Sequence, residues 1–179
     1  MPDTYKINIA GLERELPLCP VNEKLDIGAF IMFSDVEITV KSAEELLEKT
    51  GDFDIIVTAE SKGIPLAYEM ARQSGKNYVV ARKSVKIYMK NCVCVNVKSI
   101  TTEAVQTLYL GEDKAEMIKG KKVLIADDVI STGESLRAIE ELVTAAGGIV
   151  CGKCAVLAEG DAAERNDIIY LQKLPLFFK

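Results

Sequence analysis

Histidine is absent from this chain of 179 residues, and tryptophan is absent as well. Histidine is the usual side chain for acid–base catalysis near neutral pH and a frequent metal ligand. Its absence therefore argues against histidine general bases and histidine metal sites. Chemistry in this protein would depend on carboxylates, lysine, arginine or the groups of a bound ligand.

Long apolar runs and a basic surface are also lacking. No uninterrupted apolar run reaches the ~18–20 residues that cross a bilayer, and residues 1–6 do not resemble a signal peptide. The formal net charge is −5, which leaves no basic face for nucleic acid. We therefore expect a cytoplasmic protein that binds neither membrane nor nucleic acid.

Two common nucleotide-binding patterns are missing from the sequence. There is no Gly-x-x-x-x-Gly-Lys-Ser/Thr loop, and there is no Gly-x-Gly-x-x-Gly turn. The first pattern wraps the phosphates of nucleoside triphosphates, and the second opens dinucleotide-binding domains. A Walker-type nucleotide-binding loop and a nicotinamide-binding domain are therefore disfavoured.

The five cysteines are an odd number, which fits a reducing compartment better than a disulfide framework. The pairs Cys92-x-Cys94 and Cys151-x-x-Cys154 could supply four zinc ligands. Both pairs lie in apolar stretches typical of strands, however, where residues three apart face opposite sides. Buried structural cysteines are the favoured interpretation, and zinc is the alternative.

Alternating apolar strands and amphipathic helices run along the chain, and 49% of its residues are hydrophobic. This alternation predicts one α/β domain built on a doubly wound, mainly parallel sheet. Residues 1–40 have the pattern of irregular strands outside that sheet. Ser42 and Glu45 form a capping-box pattern that predicts the start of a helix. We expect helices at 42–49 and 65–74, strands at 53–58, 78–81, 123–126, 149–157 and 168–171, a hairpin of 92–97 with 107–110, and a C-terminal tail, 174–177, that completes the sheet.

The most informative segment is residues 123–135, where an apolar strand ends in two acids and a short polar loop opens a helix. In a parallel sheet, ligands bind at the carboxyl ends of the strands, where Asp127 and Asp128 could accept hydrogen bonds from ribose hydroxyls. The loop 131–135 lies at a helix start, which favours a phosphate group. Gly133 would allow a close approach of the backbone to the ligand. The alternative is an ordinary strand–loop–helix whose acids only cap the helix.

This segment resembles the phosphoribosyl pyrophosphate (PRPP) signature of type I phosphoribosyltransferases. The resemblance implies the fold of that family, with a small N-terminal hood in 1–40 over a core in 41–179. It implies a catalytic, ribose-binding role for Asp127 and Asp128. The residues that it assigns to the 5′-phosphate of PRPP are Ser131, Thr132, Gly133, Glu134 and Ser135. Glu134 departs from the pattern, and we expect its side chain to point outward.

Two further segments fit a pyrophosphate site. Residues 59–65 resemble the pyrophosphate loop of adenine-type phosphoribosyltransferases, with lysine in place of arginine, and that loop often contains a cis peptide. A basic segment follows the next strand. The residues implied in pyrophosphate binding are Ser61, Lys62, Gly63, Arg82, Lys83 and Lys86. The alternatives are a turn with a solvated lysine and a solvated basic patch.

The remaining site residues are implied only by the resemblance. Residues 99–111 match the family's mobile loop, and Glu103 is its candidate catalytic acid. Leu18, Val21 and Ile130 are expected to contact the base. Ser131 stands where hypoxanthine-guanine enzymes carry an aspartate, and Gly160 stands where xanthine enzymes often carry a lysine. Both differences favour adenine.

The resemblance therefore predicts a purine phosphoribosyltransferase that converts adenine and PRPP into AMP and pyrophosphate. It implies Mg²⁺ bound with PRPP without a direct protein ligand, and a homodimer. Two alternatives remain: an enzyme for xanthine or another purine, and a non-catalytic sensor of PRPP or purines. The purine repressor carries such a sensing domain, but we find no DNA-binding module in this chain.

Overall fold

The computed structural model describes residues 4–98, without the side chain of Lys98, and residues 105–179. The strands are β1 Thr4–Ile9, β2 Leu12–Asn22, β3 Leu25–Gly28, β4 Ile55–Ala59, β5 Asn77–Ala81, β6 Val93–Lys98, β7 Val105–Leu110, β8 Lys122–Ile130, β9 Ile149–Glu159, β10 Ile169–Leu174 and β11 Leu176–Phe178. The helices are α1 Val36–Lys49, α2 Ile64–Ser74, α3 Glu112–Ile118, α4 Glu134–Ala145 and a short 3-10 helix, Gly160–Glu164.

The central sheet contains five parallel strands in the order β10-β9-β8-β4-β5. Alternate side chains of each strand point to opposite faces. On one face, Ile56 and Leu124 pack in a core with α1 and α2, and on the other face Val57 and Ile125 pack in a core with α4. Because both faces are covered, the strands are almost continuously apolar. The predicted doubly wound α/β fold is confirmed.

Strand β8 is longer than the predicted 123–126. It remains paired with β9 as far as Ile130, but its pairing with β4 stops at Ile125. Asp127 and Asp128 therefore lie inside the strand, not after its end as expected. Because β4 leaves β8 just before these acids, a cleft opens between the two strands at the acids. The apolar run alone cannot show where β8 ends, because backbone pairing with β9 extends the strand through the polar residues that follow the run.

The N-terminal region is more regular than expected. Strands β1, β2 and β3 form an antiparallel sheet, and β11 pairs with β3 at its edge. The prediction that the C-terminal tail completes the main sheet is therefore wrong for 176–178. We call these four strands the hood sheet. The boundary between residues 40 and 41 stays a prediction, and α1 runs across it.

Helix α1 begins earlier than the capping-box pattern indicated. Its N-cap is Asp35, whose side chain accepts a hydrogen bond from the amide of Ile38 at 3.1 Å. Ser42 lies fully buried inside the helix, so the expected start at residue 42 is wrong. The β-branched residues of the first turn, such as Val36, weakened the helix signal. Arg14 of β2 pairs with Asp35 at 2.7 Å and ties the hood sheet to α1.

The expected hairpin is present as the antiparallel ribbon β6–β7, which packs against α4. A bridge between Arg82 and Tyr109 joins the ribbon to the end of β5. Cys154 is buried beneath α1 and α2, whereas Cys151 is exposed and lies where the pairing of β9 with β8 shifts by one residue, so the expectation that the two face opposite sides stays a prediction. In the described part of the chain, no helix is both long and apolar enough to cross a membrane.

Candidate functional site

A cleft of about 220 Å³ lies where β4 and β8 separate. We call it the acidic cleft. Its lining residues are Ala59, Glu60, Ser61, Lys62, Lys83, Gln106, Leu108, Asp127, Asp128, Val129 and Ser135. A larger hollow of about 460 Å³ lies between β1 and β10. Glu164 is the one acid in the lining of that hollow, which therefore has no acid pair, so the acidic cleft is the better candidate site.

The two acids of β8 lie in different surroundings. Asp128 is 3% exposed, and its Oδ2 lies 3.3 Å from the Lys62 Nζ. The two atoms form an ion pair, but their angles are unsuitable for a hydrogen bond. Among the described residues, the Asp128 Oδ2 therefore has no hydrogen-bond donor. The Oδ1 of Asp127 accepts a hydrogen bond of 2.9 Å from the Asp128 amide. The pair therefore presents acceptor oxygens that a ligand's hydroxyl groups could satisfy.

Burial and a neighbouring charge act on the acid pair. Burial, followed by the nearby Asp128 carboxylate, raises the pKa of Asp127 to about 8, and Lys62 opposes the shift. Two adjacent carboxylates cannot both ionise easily in a poorly solvated place. Cations or hydrogen-bond donors entering the cleft would therefore favour ionisation of Asp127.

The loop from β4 to α2 packs directly against the acids through Gly63. A Cβ at Gly63 would overlap the Thr58 hydroxyl and would lie 2.8 Å from the Asp127 Oδ1. The φ angle of Gly63 is −75°, so close packing, not backbone geometry, requires glycine here. The Glu60–Ser61 peptide bond is cis. This close packing brings Lys62 to Asp128.

The three predicted basic residues after β5 differ in their positions. Lys83 lines the acidic cleft, and its amide donates to the Glu60 Oε2 at 2.7 Å. Arg82 instead pairs through Nη2 with the Glu60 Oε1 at 3.0 Å. Lys86 donates to the Ser84 hydroxyl at 2.7 Å. Of the three, the structure brings only Lys83 into the lining of the cleft.

The loop 131–135 surrounds a small hollow of about 40 Å³ next to the acidic cleft. Ser135 and Asp127 line both spaces. Gly133 is the N-cap of α4 and has φ +79°, the left-handed region where glycine is favoured. The Thr132 hydroxyl accepts a hydrogen bond of 3.5 Å from the Glu134 amide. The predicted phosphate loop and the acid pair therefore share one edge of the sheet.

Gln106 of β7 was not predicted from the sequence. Its Nε2 donates to the Ser135 hydroxyl at 3.2 Å, and its side chain lines the acidic cleft. Sequence analysis placed it within the mobile segment 99–111, but residues 105–110 form a regular strand. No local pattern distinguishes Gln106, because the contact depends on how the β6–β7 ribbon packs against α4.

The residues expected to contact the base do not lie together in the acidic cleft. Ile130 is buried and lines the hollow of the loop 131–135. Leu18 and Val21 lie on β2 in the hood sheet and line neither cavity. Glu103 lies outside the described residues. Base contacts by Leu18 and Val21 thus stay a prediction.

Comparison with known proteins gives a consistent picture. A family model described as "phosphoribosyl transferase domain" matches residues 36–175. An adenine phosphoribosyltransferase of Petrotoga mobilis is 36% identical over 146 residues, which cover 78% of this chain and 79% of the relative. The corresponding enzyme of Thermotoga maritima is 30% identical over 155 residues, which cover 82% and 83%.

Solved structures agree on the fold. The crystal structure of adenine phosphoribosyltransferase from Thermoanaerobacter pseudethanolicus superimposes with a TM-score of 0.74 at 22% identity, covering 88% of this chain and 95% of the other. The Giardia lamblia enzyme, complexed with 9-deazaadenine, gives 0.66 at 16% identity over 95% and 93%. Since the family model spans most of the sequence and includes the acid pair and the loop 131–135, the chain belongs to the phosphoribosyl transferase family.

Proposed function

We propose that this protein is an adenine phosphoribosyltransferase, which makes AMP and pyrophosphate from adenine and PRPP in purine salvage. One observation carries the proposal: the acid pair, in which the buried Asp128 lies 3.3 Å from the Lys62 Nζ, shares its edge of the sheet with the loop 131–135. PRPP has a ribose between a diphosphate and a phosphate, and this arrangement matches those three parts. The relatives named above, both adenine enzymes by name, support adenine as the base.

The ribose, the diphosphate and the 5′-phosphate of PRPP would each be held by a different element. The oxygens of Asp127 and Asp128 accept hydrogen bonds from the ribose hydroxyls. Lys62 and Lys83 attract the diphosphate, and the amides of Ser61 and Gly63 are further donors for it. The loop 131–135 binds the 5′-phosphate at the start of α4. Because PRPP is fixed at both ends, its C1 atom is held between them.

A nitrogen of adenine then forms a bond to C1 while the bond from C1 to the pyrophosphate oxygen breaks. The electron pair of the broken bond leaves with pyrophosphate, and the ribosyl group becomes transiently cationic. The carboxylates beside the ribose stabilise that positive charge, and Lys62 stabilises the negative charge on the leaving group. The attacking nitrogen releases its proton as the new bond forms, and we propose that Glu103 assists adenine in this step.

Mg²⁺ fits this site through the chemistry of the oxygens present. Magnesium prefers carboxylate, phosphate and hydroxyl oxygens, and the buried Asp128 Oδ2 has no hydrogen-bond donor among the described residues. We propose that PRPP oxygens hold the ion, while Asp127 and Asp128 bind the ribose hydroxyls. Bound in this way, Mg²⁺ neutralises negative charge on the diphosphate.

We further propose that the protein is a cytoplasmic homodimer. The segment after Lys83 exposes the apolar side chains Val85, Ile87 and Tyr88 to solvent, which is unusual on a monomer surface. The free cysteines among the described residues fit a reducing compartment. Light scattering tests the dimer: a single species with the mass of one chain would contradict it.

The activity test is pyrophosphate release from PRPP and Mg²⁺ in parallel reactions with adenine, hypoxanthine, guanine, xanthine, uracil and orotate. We expect turnover with adenine. Turnover with xanthine alone would reassign the substrate. If no base gives pyrophosphate release but calorimetry shows that PRPP binds, the result would favour a non-catalytic sensor.

A further inference from the structure

A guanidinium group lies against the loop 131–135, although its residue is distant in sequence. A Cβ at Gly133 would lie 2.6 Å from the Nη1 of Arg165. The sequence pattern favours glycine at 133 because a ligand could then approach the backbone closely. In the structure, Arg165 occupies the space where a side chain at Gly133 would go, and the φ of +79° independently favours glycine.

Arg165 is held in a fixed orientation by Asp167. Its Nε donates to the Asp167 Oδ1 at 2.8 Å and its Nη2 to Oδ2 at 2.7 Å. Such a two-point contact fixes the plane of the guanidinium. In the parts of the chain that the structure describes, its Nη1 has no hydrogen-bond acceptor. One edge of the guanidinium is thus held, and its free nitrogen lies beside Gly133.

The support for Arg165 extends back to α4 itself. The Lys153 Nζ contacts the Asp167 Oδ2 at 2.8 Å and the Glu140 Oε1 of α4 at 2.7 Å. Hydrogen bonds from Arg165, followed by those from Lys153, hold the pKa of Asp167 below its usual range. Asp167 therefore stays ionised at neutral pH, and the ion pairs connect Arg165 to the helix that follows the loop.

The segment that carries Arg165 is also packed in place. Ala162 and Ala163 of the 3-10 helix, together with Ile168, are buried in the same core as Leu136 of α4. The Tyr170 hydroxyl donates to the Ala163 carbonyl at 2.8 Å. Side chains positioned by packed elements are more precise than those on free loops. Arg165 is thus fixed on both sides relative to the loop.

We propose that Arg165 is a positioning residue for the 5′-phosphate of the substrate, an inference that rests on the proposed function. It keeps the Gly133 turn in its binding geometry and supplies positive charge beside it. The loop itself, Ser-Thr-Gly-Glu-Ser, contains no basic residue and one acid, Glu134. Arg165 therefore supplies a positive charge that the loop's own sequence lacks.

The test separates the two ends of PRPP by calorimetry. Ribose 5-phosphate probes the loop 131–135, and pyrophosphate with Mg²⁺ probes the Lys62 side. In Arg165→Gln, we expect affinity for ribose 5-phosphate to fall about tenfold, as for loss of one charged contact. Pyrophosphate affinity should change less than about twofold, and the KM for PRPP should rise with little change in kcat.

Two further variants complete the design. Arg165→Lys keeps the charge but loses the two-point contact with Asp167, so its affinity should lie between wild type and Arg165→Gln. Arg137→Gln is the matched control, because Arg137 lies on α4 and forms an ion pair of 3.0 Å with the exposed side chain of Glu141. It removes the same charge and keeps the backbone hydrogen bond of 2.9 Å from the amide of residue 137 to the Gly133 carbonyl, and it should bind ribose 5-phosphate as wild type does.

An unchanged ribose 5-phosphate affinity in Arg165→Gln would overturn the inference, and so would equal losses for both probes. If Arg165→Gln does not fold, wild-type affinity in Arg165→Lys would overturn the role of the two-point contact. The binding measurements need no turnover. A wild-type protein that binds ribose 5-phosphate but makes no nucleotide would therefore contradict the proposed function and leave the Arg165 test standing.

Discussion

The loop between β4 and α2 and the loop between β8 and α4 start from the same edge of the sheet, yet they are built differently. The first carries its own cation, Lys62, which lies 3.3 Å from Asp128. The second carries no cation, and its nearest guanidinium, Arg165, comes from the segment after β9. Gly63 is required by close packing, whereas Gly133 also has a positive φ.

The difference shows two ways of placing positive charge at an anion site. In the β4–α2 loop, charge and backbone belong to one segment, so the local sequence contains the whole pattern. In the β8–α4 loop, the backbone supplies the turn, and a second segment supplies the charge. We expect the first loop to respond mainly to changes within itself and the second to respond also to distant changes.

The largest effect should come from removing both acids. We expect Asp127→Asn with Asp128→Asn to lower kcat about a thousandfold or more, because amides cannot stabilise the cationic ribosyl group as carboxylates do. The fold should survive, since the buried repulsion between the acids disappears. Steady-state kinetics and thermal unfolding measure the two properties. A double variant that keeps nearly wild-type turnover would contradict the ribose assignment.

The second effect tests the cation of the β4–α2 loop. Lys62→Gln should raise the KM for PRPP about ten- to a hundredfold through loss of charged contacts to the diphosphate. Ribose 5-phosphate affinity should stay close to wild type. Lys41→Gln is a suitable control, because among the described residues Lys41 forms an ion pair with exposed Glu44 of α1 alone. If Lys62→Gln lowers the affinities for ribose 5-phosphate and for pyrophosphate with Mg²⁺ equally, the two loops do not act separately.

The third effect concerns glycine packing. Gly63→Ala should lower the free energy of unfolding by about 1–3 kcal/mol, because the new methyl group overlaps Thr58 and crowds Asp127. Gly51→Ala is the control, since a Cβ there meets nothing within 4 Å. Denaturant unfolding measures both variants. Equal stability of the two would show that the β4–α2 loop relaxes without cost.

The last expected effect is a pH dependence of stability. The pKa of Asp127 is raised to about 8 in the folded protein by burial and by Asp128, so between its ordinary value and about 8 the folded state binds more protons than the unfolded state. This contribution to stability is therefore lost as pH rises through that window.

Comparison with Asp127→Asn isolates the contribution of the acid pair, because acids distant from Asp127 titrate equally in both proteins. Relative to the variant, the wild-type protein should be more stable at pH 5 than at pH 8. Denaturant unfolding at the two pH values measures the difference. A wild-type protein that gains stability relative to the variant as pH rises would contradict a raised pKa for Asp127.

Much of the fold follows from local patterns. Apolar runs located the strands of the main sheet, and α2 ends at Ser74 as predicted, followed by Gly75 with φ +68°. The errors arose where a pattern had two interpretations. Ser42 and Glu45 fit a helix start but lie within α1, and the tail at 176–178 fits a strand of either sheet. Only long-range pairing distinguishes such alternatives.

The candidate site divides in the same way. The sequence by itself determined the acid pair, the loop 131–135 and Lys62, because their chemistry lies in contiguous segments next to strands and helices with clear periodicity. Only the tertiary structure decided that Arg82 pairs with Glu60, that Gln106 reaches Ser135 and that Arg165 packs on Gly133. These contacts join segments far apart in the chain. Their geometry depends on how strands and helices pack together, and the spacing of residues within one segment cannot predict that packing.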